Sequence, residues 1–222
     1  MKYQFVVIAA LAAVTLAPVQ ASAQGKVEAS VNFGWTLSDG VQGDGIRARD
    51  GNIYDTIDVK DAFNWGFGVG FHASEGAEVG FLFNQQMSTL VVSGTNEVEI
   101  GDMKVNNYHP YFAYNFGEED AKVRPYVMFG LGATSYGAVA YSRAGTNGET
   151  DGATKFSTTW GAGVKFMASP KVGIRVGAQW TPTYITTEGE GWWCDPYWGC
   201  YVVGDAKYAN QFHLQGGIVF KF

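Results

Sequence analysis

The chain has 222 residues, a length suited to one domain, with 46% hydrophobic, 15% aromatic and only 16% charged residues, 30 Gly and a formal net charge of −6. So little charge beside so many aromatics excludes a disordered chain. Glycine at about twice its usual share excludes a helical bundle, where each interior Gly costs about 1 kcal/mol relative to Ala, and the acidic balance excludes nucleic acid as a partner.

The first segment, residues 1–23, has the layout of an export signal. Lys2 supplies the positive start, Phe5 to Leu16 the apolar run, and Ala21-Ser22-Ala23 a small-residue cleavage site, so cleavage is expected after Ala23. The apolar run is too short to span a bilayer comfortably, and no later run of 18 apolar residues follows. The mature domain, 24–222, is expected to fold outside the cytoplasm.

From Val27 the sequence alternates with period two. Val27, Ala29, Val31, Phe33, Trp35 and Leu37 share one face; Glu28, Ser30, Asn32, Gly34 and Thr36 share the other. About eleven residues is the length of a tilted membrane-spanning strand, longer than the five or six usual in a soluble sheet. The pattern recurs in residues 64–73, 78–84, 108–116, 127–133, 156–166, 172–180 and 212–222. In the fourth and fifth of these eight strands both faces carry large residues, so their phase is open. Three connections are short (74–76, 117–124, 169–171) and four are long (38–63, 88–102, 137–154, 182–207).

Short turns at one end and long loops at the other predict an all-β fold: an eight-stranded antiparallel up-and-down transmembrane β-barrel with periplasmic turns and extracellular loops. Trp35, Trp65, Tyr108, Trp160, Trp180 and Phe212 fall about nine or ten residues from the periplasmic end, which is about 23–25 Å along the axis of a tilted barrel. They form the expected upper aromatic girdle, with Phe71, Phe116, Phe166 and Phe222 at the lower edge. The opposing glycines suit a narrow lumen better than a solvated face.

The export signal, the eight amphipathic strands, the closing Phe220-Lys221-Phe222, and the stretches Asn107-Tyr108, Tyr114-Asn115-Phe116, Arg124-Pro125-Tyr126-Val127 and Gly130-Leu131-Gly132-Ala133 resemble small Gram-negative outer-membrane barrels of the OmpA-barrel and OmpX type. The segment Gly191 to Gly204 resembles an uncharacterised, porin-like branch of that group. The resemblance spans the mature chain and implies an outer-membrane location. It carries over no catalytic residue, cofactor or metal. In such families a terminal aromatic is read by the barrel-assembly machinery, so Phe220 and Phe222 are the implied assembly signal. Periplasmic chaperones, outer-membrane lipid and lipopolysaccharide are the implied partners, around a monomer.

Four groups of residues are candidates for function. Glu28, His72, Glu78, Lys165, Arg175 and Lys221 fall on the inward face near the periplasmic end. An unpaired ion in a narrow, poorly hydrated lumen costs several kcal/mol, so these charges are expected to pair, as a structural plug or as a gate that rearranges. Cys194 and Cys200, in an oxidising compartment, are expected to form a disulfide. Around them Trp192, Trp193, Tyr197, Trp198 and Tyr201 offer either self-packing over the barrel mouth or a surface for an extracellular ligand. Asp44, Asp50, Asp55, Asp58 and Asp61 in the first long loop lack the spacing of a calcium loop and read as a solvated acidic segment that divalent cations could bridge to lipopolysaccharide.

His72-Ala73-Ser74 superficially resembles the H-x-S pair of lipid A deacylases, but it sits at a periplasmic turn without a third group in place. His109 and His213 face inward on strands four and eight, which are not expected to be neighbours. The expected function is a non-enzymatic outer-membrane barrel that displays its loops for envelope support or surface contact and adhesion. The alternatives are a narrow gated channel for ions or small solutes and, from another class, a lipid-modifying enzyme.

Overall fold

The alternation builds a closed wall. The computed structural model describes residues 27–47, 53–143, 146–185, 193–195, 199–201 and 207–222. Its strands are β1 (Val27–Asp39), β2 (Val41–Arg47), β3 (Ile53–Val59), β4 (Ala62–His72), β5 (Ala77–Gly94), β6 (Val98–Asn115), β7 (Val123–Tyr136), β8 (Ala140–Arg143), β9 (Thr146–Glu149), β10 (Ala153–Met167), β11 (Val172–Ile185), β12 (Trp193–Asp195), β13 (Gly199–Tyr201) and β14 (Lys207–Lys221).

Eight of these, β1, β4, β5, β6, β7, β10, β11 and β14, pair antiparallel in chain order. The ring closes between β1 and β14, with Glu28 opposite Lys221 and Trp35 opposite Leu214. Closure removes the unpaired edges that an open sheet would expose. The outward face carries large apolar side chains in the open, among them Phe33, Phe67, Phe112, Leu131, Val176 and Ile218. A hydrocarbon environment accounts for that exposure.

The uncertain phase of strands four and five resolves cleanly. Tyr108, Phe112 and Tyr114 point outward with Val127 and Leu131, while Tyr111, Ala113, Tyr126 and Met128 pack inside. Lumen glycines make room for those two tyrosines. A Cβ at Gly80 would lie 2.7 Å from the Tyr111 ring, and one at Gly163 would lie 2.6 Å from the Tyr126 hydroxyl.

The strands run further toward the extracellular side than period two predicts. Residues 88–102, expected as a long loop, are strand except for a tight turn at 95–97. A register shift at Leu90/Val91 puts Leu90, Val91 and Val92 inside consecutively and breaks the alternation that would have revealed them. The described part of the first long loop, expected as an open acidic segment, is largely strand, although two of its acids stay exposed. Residues β2 and β3 form a hairpin, and β3 takes over the upper edge of β5, with Ile57 opposite Val92 and Val59 opposite Leu90. Val41, Tyr54, Ile57 and Val59 are buried by it. Of its acids, Asp55 and Asp61 are exposed and Asp58 is half-buried. Asp50 lies outside the described residues. The third and fourth long connections contain the hairpins β8–β9 and β12–β13. The expected export signal also lies outside the described residues.

Candidate functional site: a lumen filled in three layers

The periplasmic layer is ionic. Period two turns Glu28 of β1, His72 of β4, Glu78 of β5, Lys165 of β10 and Arg175 of β11 to the interior, where all but Arg175 are almost fully buried. Lys165 is the hub: its Nζ donates to Glu28 Oε1 at 2.5 Å and to Glu78 Oε2 at 2.9 Å. His72 Nε2 lies 3.3 Å from Glu28 Oε2. Tyr111 Oη donates to Glu78 at 2.5 Å and Asn115 Nδ2 at 3.0 Å, so the Glu78 carboxylate is held from three sides. Among the described residues Arg175 makes no ion pair with a carboxylate; it donates to Tyr126 Oη at 2.7 Å and stacks over that ring. Lys221 stands at the periplasmic mouth and makes no ion pair among the described residues.

Arg124 belongs to the same layer although it falls within a predicted turn. It is fully buried and donates from Nη2 to the Glu75 carbonyl at 2.8 Å. Its shared parity with Tyr126 and Met128 was the available signal. Glu28, His72 and Glu78 bring possible metal-binding atoms within 4.8 Å of one another. The Lys165 ammonium is bonded to both carboxylates, however, and a divalent cation there would meet a like charge at contact distance.

The middle layer is neutral and hydrogen-bonded across the barrel. Gln215 Nε2 of β14 donates to Asn64 Oδ1 at 2.7 Å and Asn84 Oδ1 at 2.8 Å on the far strands β4 and β5. Asn64 Nδ2 donates to Thr36 Oγ1 at 2.8 Å, which lies 2.8 Å from His213 Nδ1. Higher up, Gln211 Nε2 donates to Gln86 Oε1 at 2.7 Å, Asn107 Nδ2 to Gln211 Oε1 at 3.2 Å, and Thr134 Oγ1 to Asn107 Oδ1 at 2.6 Å. His109 makes its contact with Ser157 Oγ at 2.9 Å. His109 and His213 stand on non-adjacent strands and serve separate hydrogen bonds. Amides and hydroxyls can satisfy one another in this space without the desolvation cost of an ion.

The extracellular layer is apolar. Val41, Tyr54, Ile57 and Val59 of the β2–β3 hairpin pack with Leu90, Val92, Met103, Val105, Tyr136, Val139 and Ile185. Two cavities in this half hold about 20 Å³ each, one between Ser38, Ile57, Asp58 and Gln211 and one between Leu90, Met103 and Tyr136. Each has room for about one water.

The girdle residues Trp35, Tyr108, Trp160, Trp180 and Phe212 point outward and are 40–50% exposed, and Trp65 is half-buried against Phe83. Trp160, Trp180 and Phe212 sit side by side on three adjacent strands. Phe220 and Phe222 also face outward at the closing seam. In the β12–β13 hairpin the backbone sets Cys194 opposite Cys200 and Trp193 opposite Tyr201. Trp192, Tyr197 and Trp198 lie outside the described residues. His72 and Ser74 do not converge: His72 turns into the lumen toward Glu28, while Ser74 Oγ accepts from the Ala77 N–H in the exposed turn.

A closed eight-stranded barrel with an apolar outer belt defines an integral outer-membrane protein. The chain belongs to the outer membrane protein beta-barrel domain family, whose model matches residues 6–214, and that membership implies the Gram-negative outer membrane. No curated protein matches it. Among solved structures it is similar in fold to the outer membrane protein OprG from Pseudomonas aeruginosa, with a TM-score of 0.59 and 12% identity over 90% of this chain and 98% of that one. Neisserial surface protein A is similar with a TM-score of 0.52 and 13% identity over 88% and 97%. The outer membrane protease OmpT from Escherichia coli has a TM-score of 0.51 and 9% identity over 89% and 97%. At such identities the likeness concerns the fold alone.

Proposed function

We propose that this protein is a non-enzymatic, non-conducting outer-membrane barrel whose wall carries extracellular hairpins above the membrane for envelope support or surface contact. The observation that carries this reading is the filling of the lumen by three chemically different layers. A gate working by exchange of ion pairs would open only the periplasmic layer. The amide network and the apolar layer would still block the path, and rearranging an apolar core costs several kcal/mol. The divergence of His72 and Ser74 supports the non-enzymatic part of the reading.

The directly opposed Cys194 and Cys200 support a disulfide that locks the β12–β13 hairpin; the aromatic pattern of the sequence assigns Trp193 and Trp198 to the contact surface. Phe220 and Phe222 serve as the assembly signal. Liposome swelling tests the closed lumen: vesicles holding the refolded chain are expected to swell in isotonic arabinose no faster than empty ones, and faster swelling would promote the channel reading. On cells displaying the protein, Trp193→Ala with Trp198→Ala is expected to abolish whatever surface attachment the wild type confers. Retained attachment would remove this hairpin from the contact surface.

A further inference from the structure

A second feature lies on the outer wall. On β10, β11 and β14 the girdle row Trp160, Trp180 and Phe212 is followed four residues higher by a second aromatic row, Phe156, Tyr184 and Tyr208. The two rows are about 13 Å apart along the strands. Between them runs a row of shorter residues, Thr158, Pro182 and Asn210, and the result is a groove of about 840 Å³. Pro182 is buried in its floor. Having no N–H, Pro182 donates no ladder bond, and the β10–β11 pairing is interrupted between Trp160↔Trp180 and Ser157↔Thr183. The doubling is local to this sector. Four residues above the girdle stand Asp39 on β1, Asp61 just before β4 and Lys104 on β6.

Height and chemistry together select an occupant. With a tilt near 40°, the upper row stands about 10 Å above the girdle along the barrel axis, beyond the reach of acyl chains and within the headgroup zone. Phe156 and Tyr208 are each 56% exposed there, an arrangement that hydrocarbon does not explain. Among the described residues none that lines the groove is charged, which disfavours a phosphate. Aromatic faces with a few polar groups are the equipment of a site for a neutral ring with hydroxyls. Asn210 Oδ1 accepts from Trp180 Nε1 at 3.1 Å and Thr158 Oγ1 accepts from Trp160 Nε1 at 3.2 Å. Among the described residues the Asn210 amide hydrogens and the Thr158 hydroxyl hydrogen remain as donors.

We infer that this groove binds the sugar headgroup of an outer-leaflet glycolipid, with one sugar ring between the aromatic rows, lying against Tyr184 and Tyr208 and hydrogen-bonded from the floor. The inference stands whether or not the lumen conducts. It is tested with the refolded full chain in nanodiscs of phosphatidylethanolamine and phosphatidylglycerol, titrated with rough-type lipopolysaccharide and read by native mass spectrometry. One saturable adduct is expected. Tyr184→Ala with Tyr208→Ala, its barrel verified by a heat-modifiable gel shift, is expected to weaken that adduct at least tenfold, and Asn210→Ala about fivefold. Tyr114→Ala, which removes an outward ring at the periplasmic side, is expected to leave it unchanged. Should the double variant not fold, Asn210→Ala alone decides. Unweakened binding by the groove variants, an equal loss in Tyr114→Ala, or equally tight binding of phosphatidylglycerol would overturn the assignment.

Discussion

The two ends of the lumen close the same barrel by opposite means. At the periplasmic end the closure is ionic, with Lys165 shared between Glu28 and Glu78. At the extracellular end it is a hydrophobic core, Ile57, Leu90, Val105 and their neighbours, of the kind a soluble domain would have. The difference follows from what each end must pack against. The lower wall is encircled by lipid and encloses only its own narrow lumen, whereas the upper wall rises beyond the membrane and gains the β2–β3 hairpin as a partner. The ionic end is therefore expected to be brittle toward loss of a single charge, and the apolar end to respond to lost volume.

The largest test of that contrast is Lys165→Met. It leaves two buried carboxylates uncompensated and is expected to destabilise the barrel by about 3–5 kcal/mol, read as a lowered urea midpoint for unfolding from lipid vesicles. A midpoint equal to the wild type would mean that the periplasmic layer is hydrated and not closed by this pair. Leu90→Ala addresses the other end. Truncating this buried side chain is expected to cost about 2–5 kcal/mol, felt as faster proteolysis of the β2–β3 hairpin, while the heat-modifiable gel shift of the membrane barrel persists. Equal loss of both signals would show that the two ends do not act separately.

A smaller effect concerns pH. Burial raises the Asp58 carboxyl to about 6, outweighing the Val59 N–H that it accepts from, and Asp61, Asp39 and Glu97 add to the rise. A carboxyl whose folded value is raised favours the folded hairpin while protonated. That contribution is present below about pH 4 and is lost as pH rises through 6. Amide-exchange protection of Ile53–Val59, corrected for intrinsic rates, is expected to be higher at pH 4.5 than at pH 7, and Asp58→Asn to abolish the difference. The smallest effect is expected at Lys60, which pairs with Glu97 and Glu99 on the exposed surface. Lys60→Ala should leave the unfolding midpoint unchanged within error, because such pairs are screened by solvent.

The same contrast separates what was legible in the sequence from what was not. In the membrane, each strand meets lipid on one face and lumen on the other, so Trp35, Phe33 and Val31 alternate with Asn32 and Ser30 and the strand declares itself. Above the membrane the alternation breaks at bulges. Tyr54, Ile57 and Val59 are all buried although a register shift after Tyr54 destroys their period, and the run Leu90-Val91-Val92 does the same on β5. The ionic layer was legible by parity for Glu28, Glu78, Lys165 and Arg175. Arg124 escaped because a strand end looks like a turn until its partner, here Lys165 on β10, is known. The amide network could not be assembled from one chain's order, since Gln215 reaches Asn64 and Asn84 across the lumen.

The most direct measurement is single-channel recording in planar bilayers of the refolded chain, wild type and Glu28→Gln with Glu78→Gln, each verified as a folded barrel by gel shift. Three closed layers require silence from both proteins, because freeing the ionic layer leaves the amide and apolar layers in place. Discrete openings of the wild type, or openings created by the double substitution, would contradict a filled lumen and make the Lys165 cluster a gate.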